Sequence, residues 1–292
     1  MCLTEIFCKY DDFCKEFEPD WNKILITSNI NSRNRQGNLS LSERMTIFTL
    51  FHQSNYRTFK HFYNSYVVKY LKKDFPKLIS YERFVALIPS MLIPMAVFIY
   101  SRRGKFTGIS YIDATKLQVC RNIRIPRNKV FNGIAARGKS SMGWFYGFKL
   151  HLMVNDKGEI LAFHISAGNK DDRVPVEDMS KDIFGKLFGD RGYISQKLFK
   201  NLMDKGIQLI TTIRNKMKNK LMNFADKILL RKRYIIETIN DQLKNISQIE
   251  HSRHRSVLNC MANILAGLAA YCFQKKKPSI RVENNMLEQI IC

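Results

Sequence analysis

"WFYGFKLHLMVNDKGEILAFHIS", Trp144 to Ser166, is dense in β-branched and aromatic residues on both sides of an Asp-Lys-Gly turn at 156 to 158. Such side chains fit a pleated, half-buried surface and the triplet supplies the reversal, so the stretch predicts a hairpin of two strands. Before it, "FTGISYIDA" from Phe106 reads as another strand. After it come an amphipathic stretch from about Asp172 to Phe184, a short strand "KLFGD", a helix "SQKLFKNLMDKG" and a strand "IQLITTI". A basic connector, "RNKMKNKLMNFADKILLRKR", then leads to "RYIIETINDQLK", Arg233 to Lys244, and to a last apolar helix, "SVLNCMANILAGLAAYCF". Strand, hairpin, helix, strand, helix, strand and long helix predict an α/β fold, a layered sheet with helices packed on it.

Residues 1 to about 105 read as helices instead. "LTEIFCKYDDFCKEF" has helical periodicity, a capping box Ser40-x-x-Glu43 opens "SERMTIFTLFHQ", and two further helical stretches follow, the second broken by Pro89 and Pro94. No internal repeat and no low-complexity linker interrupts the chain. No glycine-centred turn is sharp enough to locate a helix-turn-helix in this part.

Composition narrows the function. Among 292 residues, 48 Lys and Arg face 25 Asp and Glu, a formal charge of +23 and a pI near 9.8. Such a surface attracts polyanions, and nucleic acid is the commonest. Abundant Lys, Asn and Ile also follow from an AT-rich genome, but Arg is abundant as well. Seven scattered cysteines without a C-x-x-C pair argue against a disulfide framework or a zinc cage. The amphipathic N-terminus has no long apolar region, and the longest apolar runs, "MLIPMAVFIY" and "MANILAGLAAYCF", fall short of the ~20 residues of a bilayer span. A soluble protein is expected.

Three carboxylates stand at suggestive places. Asp113 lies in the strand "GISYID", Asp190 ends "KLFGD" before the turn "RGY", and Glu237 sits on the polar stripe of the late helix with Arg233, Asn240 and Lys244, opposite Ile235, Ile236, Ile239 and Leu243. Strand ends and a facing helix can bring the three together although 77 and 47 positions separate them. A converged trio would bind hard divalent metal, most plausibly Mg²⁺. Two ions about 3.5 to 4 Å apart can drive an in-line phosphodiester displacement. Taken singly, each acid has a plainer role: Asp113 and Asp190 as turn formers, and Glu237 with Arg233 as an exposed i,i+4 pair worth ~0.3 to 0.5 kcal/mol.

"YIDAT", "GDRGY" and the helix carrying Arg233, Glu237 and Lys244 resemble the signature regions of DDE transposases of bacterial insertion sequences, and the wording around them is most similar to the IS982 family. "GFKLHL", "AGNKDD" and "HSRHRS" before an apolar helix look like that family too, so the resemblance runs to about Lys277. It implies a helical N-terminal domain over 1–105 that binds DNA ends, an RNase H-like catalytic domain over 106–278 with a mixed sheet flanked by helices, and a tail, 279–292, that matches nothing. It makes Asp113, Asp190 and Glu237 the metal-holding triad for two Mg²⁺, with Mn²⁺ a possible substitute, and Arg233 and Lys244 the basic partners. Related transposases often carry Tyr three positions before that Arg; here the residue is Leu230, and Tyr234 lies at a different angle. The implied partners are double-stranded DNA, the terminal inverted repeats and target DNA, held by a homodimer or larger assembly when two ends are paired. The implied location is the bacterial cytoplasm, at the nucleoid.

No acidic residue lies between Asp113 and Asp156, whereas Lys116, Arg121, Arg124, Arg127, Lys129, Arg137, Lys139 and Lys149 do. Trp144, Phe145 and Tyr146 interleave them as stacking faces, with a hairpin core the plainer role for at least two. Arg214, Lys216, Lys218 and Lys220 begin a second basic run, which continues through Lys227, Arg231 and Lys232. Both runs are expected to track DNA backbone. His251 and His254 lack the partners of a zinc site. Asp172 is expected to cap the helix that follows it. Two rivals stay open: a decayed or regulatory relative that binds element ends without cutting, and an RNase H-like nuclease with no role in transposition.

Overall fold

Ser40 and Glu43 start a helix as their spacing predicts. The computed structural model describes residues 2–28, 37–212, 222–250 and 254–280. Helix α1 is Leu3–Thr27, and α2, Leu41–Gln53, opens on a closed capping box. The Glu43 N–H donates to Ser40 Oγ at 3.1 Å and the Ser40 N–H to Glu43 Oε2 at 2.7 Å, satisfying two orphan donors of the first turn. α3 (Phe59–Phe62) passes through a π turn (Tyr63–Val67) into α4 (Val68–Tyr70). α5 (Tyr81–Leu87) passes through a 3-10 turn (Ile88–Met91) into α6 (Leu92–Ser101). Pro89 lies in the 3-10 turn, where its missing donor breaks the α pattern, and Pro94 in the first turn of α6, where a donor is not needed. The run Tyr81–Ser101 is, at 21 residues, long and apolar enough by length and composition to cross a membrane. The segment "MLIPMAVFIY" alone is too short to show this. Phe84, Met91, Met95, Phe98 and Ile99 within the run are buried.

The chain forms two units, Met1–Arg102 with Leu243–Lys275, and Arg103–Gln242 with Lys276–Cys292. In the first, the late helix Val257–Cys272 packs against α2 and α6, so this segment belongs with the N-terminal helices and not with the sheet it follows in sequence. Tyr10 is fully buried there, its hydroxyl 2.6 Å from Thr49 Oγ1 and its ring against Phe98 and Phe273.

The second unit is built on β1 (Ile109–Cys120), a 3-10 turn (Asn122–Arg127), β2 (Ala136–Ser140), β3 (Gly143–Asn155), β4 (Ile160–Ala167), α7 (Val176–Met179), β5 (Gly185–Gly189), α8 (Gln196–Met203), β6 (Ile207–Thr211), α9 (Phe224–Arg231) and α10 (Tyr234–Asn245). The chain then returns to the first unit, whose late helix is α11 (Val257–Cys272). Strand β3 is long enough to pair with β1 along one side and with β2 and then β4 along the other, all antiparallel. β5 and β6 extend the sheet beyond β1 in parallel. The hairpin β3–β4 turns where the sequence predicts, with the Gly158 N–H donating to the Asn155 carbonyl at 3.1 Å and Gly158 at φ +71°. Ile112, Met153, Leu161, Leu187, Leu198 and Ile207 fill a core under one face. Where β1 slips register between Gln118 and Cys120, β3 approaches so closely that a Cβ on Gly147 would lie 2.0 Å from the Leu117 carbonyl oxygen. The amphipathic stretch Asp172 to Phe184 keeps only the single turn α7, and the basic connector contains α9.

Candidate active site

Parallel pairing of β1 with β5 sets Ile109 against Lys186, Ser110 against Leu187 and Tyr111 against Phe188. Two residues further along the same register come Asp113 and Asp190, so neighbouring strands deliver two carboxylates to one end. Asp190 leaves β5 to cap a 3-10 turn (Arg191–Tyr193), its Oδ1 accepting the Gly192 N–H at 2.8 Å. Helix α10 buries Ile235, Ile236 and Ile239, as the apolar stripe requires. Its polar stripe meets β1: Asn240 Nδ2 donates to Asp113 Oδ2 at 3.0 Å, and the Arg233 guanidinium lies 3.8 Å from Asp113 Oδ1 while also donating to the Glu237 carboxylate. Strand, strand end and helix thus place Asp113, Asp190 and Glu237 in one neighbourhood of the second unit.

Asp113 is the more enclosed of the acids that Arg233 touches. Asp113 has a side chain only 22% exposed, against 55% for Glu237. Burial pushes the Asp113 carboxyl up to about 6; Arg233 and the Ala114 amide pull it back, and Asp190 and Glu237 push it further. A carboxylate pushed up mainly by burial, with a guanidinium and two other acids around it, is a group whose charge the protein hides from water. The Tyr193 phenol is buried, its hydroxyl has no hydrogen-bond partner among the described residues, and burial together with Asp113, Asp172 and Asp190 raises its pKa.

Hard oxygen donors and surplus negative charge are what a divalent cation of the Mg²⁺ type takes, so the donor chemistry fits such an ion. Among the described residues, however, no three His, Cys, Asp or Glu side chains are gathered closely enough to hold one. Arg233 supplies the cation between Asp113 and Glu237 instead.

The other expected residues divide. Lys244 falls in the first unit and pairs with Glu250 at 3.4 Å. Arg121, Arg124, Arg127 and Lys129 are exposed on and beside the 3-10 turn after β1, Arg137 and Lys139 are exposed on β2, and Lys116 is half-buried on β1. Lys149 points inward, its ammonium donating to Asp172 Oδ1 at 2.8 Å and to the Lys170 carbonyl at 2.9 Å. Asp172 therefore holds Lys149 and does not cap a helix: the residue at the N-cap of α7 is Pro175. Arg214, Lys216, Lys218 and Lys220, and likewise His251, lie outside the described residues. Phe145 and Tyr146 are buried and Trp144 is exposed. Two residues escape a reading of the sequence. Asn240 is on the polar stripe but carries no charge to draw notice, and Tyr193 ends the "GDRGY" stretch.

Residues 103–257, which include all three acids and Arg233, match the family described as "Transposase DDE domain". The match covers more than half of the chain, which therefore belongs to this family of DDE transposases. Membership implies DNA as partner and metal-dependent transposase chemistry as the class of activity. No curated protein matches the chain.

Proposed function

We propose that this chain is the transposase of an IS982-type insertion sequence, cutting DNA at the element's terminal inverted repeats and joining the ends to target DNA. The observation that carries this reading is the placement of Asp113 on β1, Asp190 at the end of the neighbouring parallel strand β5 and Glu237 on α10, whose Asn240 and Arg233 reach Asp113, within the region that matches the family. The sheet of the second unit, four antiparallel strands β1 to β4 extended in parallel beyond β1 by β5 and β6, supports an RNase H-like catalytic domain. Asp113, Asp190 and Glu237 would hold two Mg²⁺, for which Mn²⁺ could substitute, and when bound these ions supply the Lewis acidity for in-line displacement at phosphorus by water and then by a DNA 3′ hydroxyl.

The protein's own residues prepare that site. Asn240 fixes the orientation of Asp113 through its amide, and the Asp190 carboxylate is held by the Gly192 N–H. Arg233 balances Asp113 and Glu237, and would be free to pair with a DNA phosphate if those acids held metal. Exposed Arg121, Arg124, Arg127 and Lys129 would track the backbone of bound duplex. The helical first unit would recognise the ends, in a homodimer or larger assembly that pairs them at the bacterial nucleoid.

Glu237→Gln tests the reading, because it removes charge while keeping size and hydrogen bonding. Mg²⁺-dependent cleavage of end-containing DNA should fall by orders of magnitude, while DNA affinity without metal stays equal or rises. Cleavage near the wild-type rate would leave Glu237 as merely the exposed partner of Arg233. Wild-type protein that binds ends in Mg²⁺ and never nicks them would favour a regulatory relative.

A further inference from the structure

The hairpin of β2 and β3 presents an unusual outer face. Register sets Lys139 opposite Trp144 and Arg137 opposite Tyr146. With the alternation of strands, Arg137, Lys139 and Trp144 share one side, while Gly138 and Phe145 turn to the buried side. The Arg137 guanidinium lies 4.9 Å and the Lys139 ammonium 5.9 Å from the Trp144 ring centre. This indole is 52% exposed, and Met142 at the turn is 82% exposed. The platform is held in place. Asn122 Nδ2 donates to the Trp144 carbonyl at 2.9 Å, tying the 3-10 turn to the strand, and Tyr146 Oη donates to the Phe131 carbonyl at 3.1 Å.

A large aromatic ring half in water on a braced hairpin, with two cations held over it by cation–π contact that phosphates can draw aside, suits a ligand that offers both a π face and negative charge. Duplex backbone satisfies the cations and leaves the indole bare, since stacked bases hide their faces. An apolar protein surface would cover the indole and strand the cations. An unpaired base flanked by its phosphates satisfies both at once. We propose that the outer face of this hairpin is a stacking platform for an unpaired nucleobase, with Trp144 taking the base and Arg137 and Lys139 the adjoining phosphates. The inference rests on the reading of DNA as substrate and adds that the bound DNA is opened where it meets the hairpin.

The test uses the full chain without metal. Trp21 and Trp144 are the two tryptophans of the chain, so Trp21→Phe makes Trp144 the sole indole reporter. Short oligothymidylate should quench its emission, and a blunt duplex should not. By anisotropy, Trp144→Ala should weaken oligothymidylate binding roughly 10-fold or more while changing blunt-duplex binding less than about 2-fold, and Trp144→Phe should retain most of the affinity. Unquenched emission, or an equal loss for both DNAs, overturns the platform; if duplex binding and Mg²⁺-dependent cleavage persist in that case, the transposase reading survives it. Wild-type protein that binds neither DNA overturns both.

Discussion

Asp113→Asn should stabilise the metal-free protein. Burial and two neighbouring carboxylates raise the Asp113 pKa to about 6, against an ordinary value near 3.9. A tenfold change in an ionisation equilibrium is worth about 1.36 kcal/mol, so keeping this group ionised in the native state costs about 2 to 3 kcal/mol at neutral pH. The sign follows from linkage. Because the folded value is raised, the stabilisation that comes with the proton is complete below about pH 4 and is lost as pH rises through about 6. Asparagine carries no charge at any pH and still offers an oxygen to the Asn240 amide. In urea unfolding followed by circular dichroism in EDTA, the variant should therefore exceed wild type by about 2 to 3 kcal/mol at neutral pH, and the gap should close towards pH 4. Added Mg²⁺ should close most or all of the gap, since an ion at 100 times its dissociation constant contributes ~2.7 kcal/mol to the form that binds it. A variant no more stable than wild type in EDTA, or a gap indifferent to pH, would refute the claim that burial holds the Asp113 carboxyl above its ordinary range.

Two further outcomes test the surface and the sheet. DNA binding should weaken steeply with salt, and Arg124→Ala with Arg127→Ala should flatten the log-log slope by roughly one to two units, at about 0.9 per phosphate contact; an unchanged slope would mean that the 3-10 turn does not touch backbone. Gly147→Ala forces a Cβ to within 2.0 Å of the Leu117 carbonyl oxygen and should destabilise by ~3 kcal/mol or more, read from the urea midpoint; a loss under ~1 kcal/mol would show that β1 and β3 part there without strain.

The features legible in the sequence are those with a local chemical signature. Ser40 and Glu43 make reciprocal bonds three residues apart, and the β3–β4 hairpin has both its apolar runs and its glycine turn. Ile235, Ile236 and Ile239 mark the buried side of α10, and that alone orients Glu237. Strand β2 escapes because "ARGKS" has no apolar alternation, its inward position being Gly138, whose lack of a side chain admits the Gly168 carbonyl. Helix α9 is masked by the lysines around it. Lys149 and Asp172 look like surface charges because sequence does not reveal which charged residues face one another across 23 positions. Nor can it show Arg233 lying between two of the acids, since that contact depends on how α10 meets β1.

Order along the chain also gives the molecule a schedule. The four antiparallel strands β1 to β4, all paired through β3 and carrying the exposed cations and indole, are complete by Ala167. The carboxylate site waits for Asn240 to reach Asp113 across 127 positions. At ordinary elongation rates the ribosome needs about 4 to 15 s to pass from Ala167 to Asn240. On the proposed reading, a nascent chain would for that interval display a surface for holding DNA without the means to break it, so that grip would precede cutting during synthesis itself.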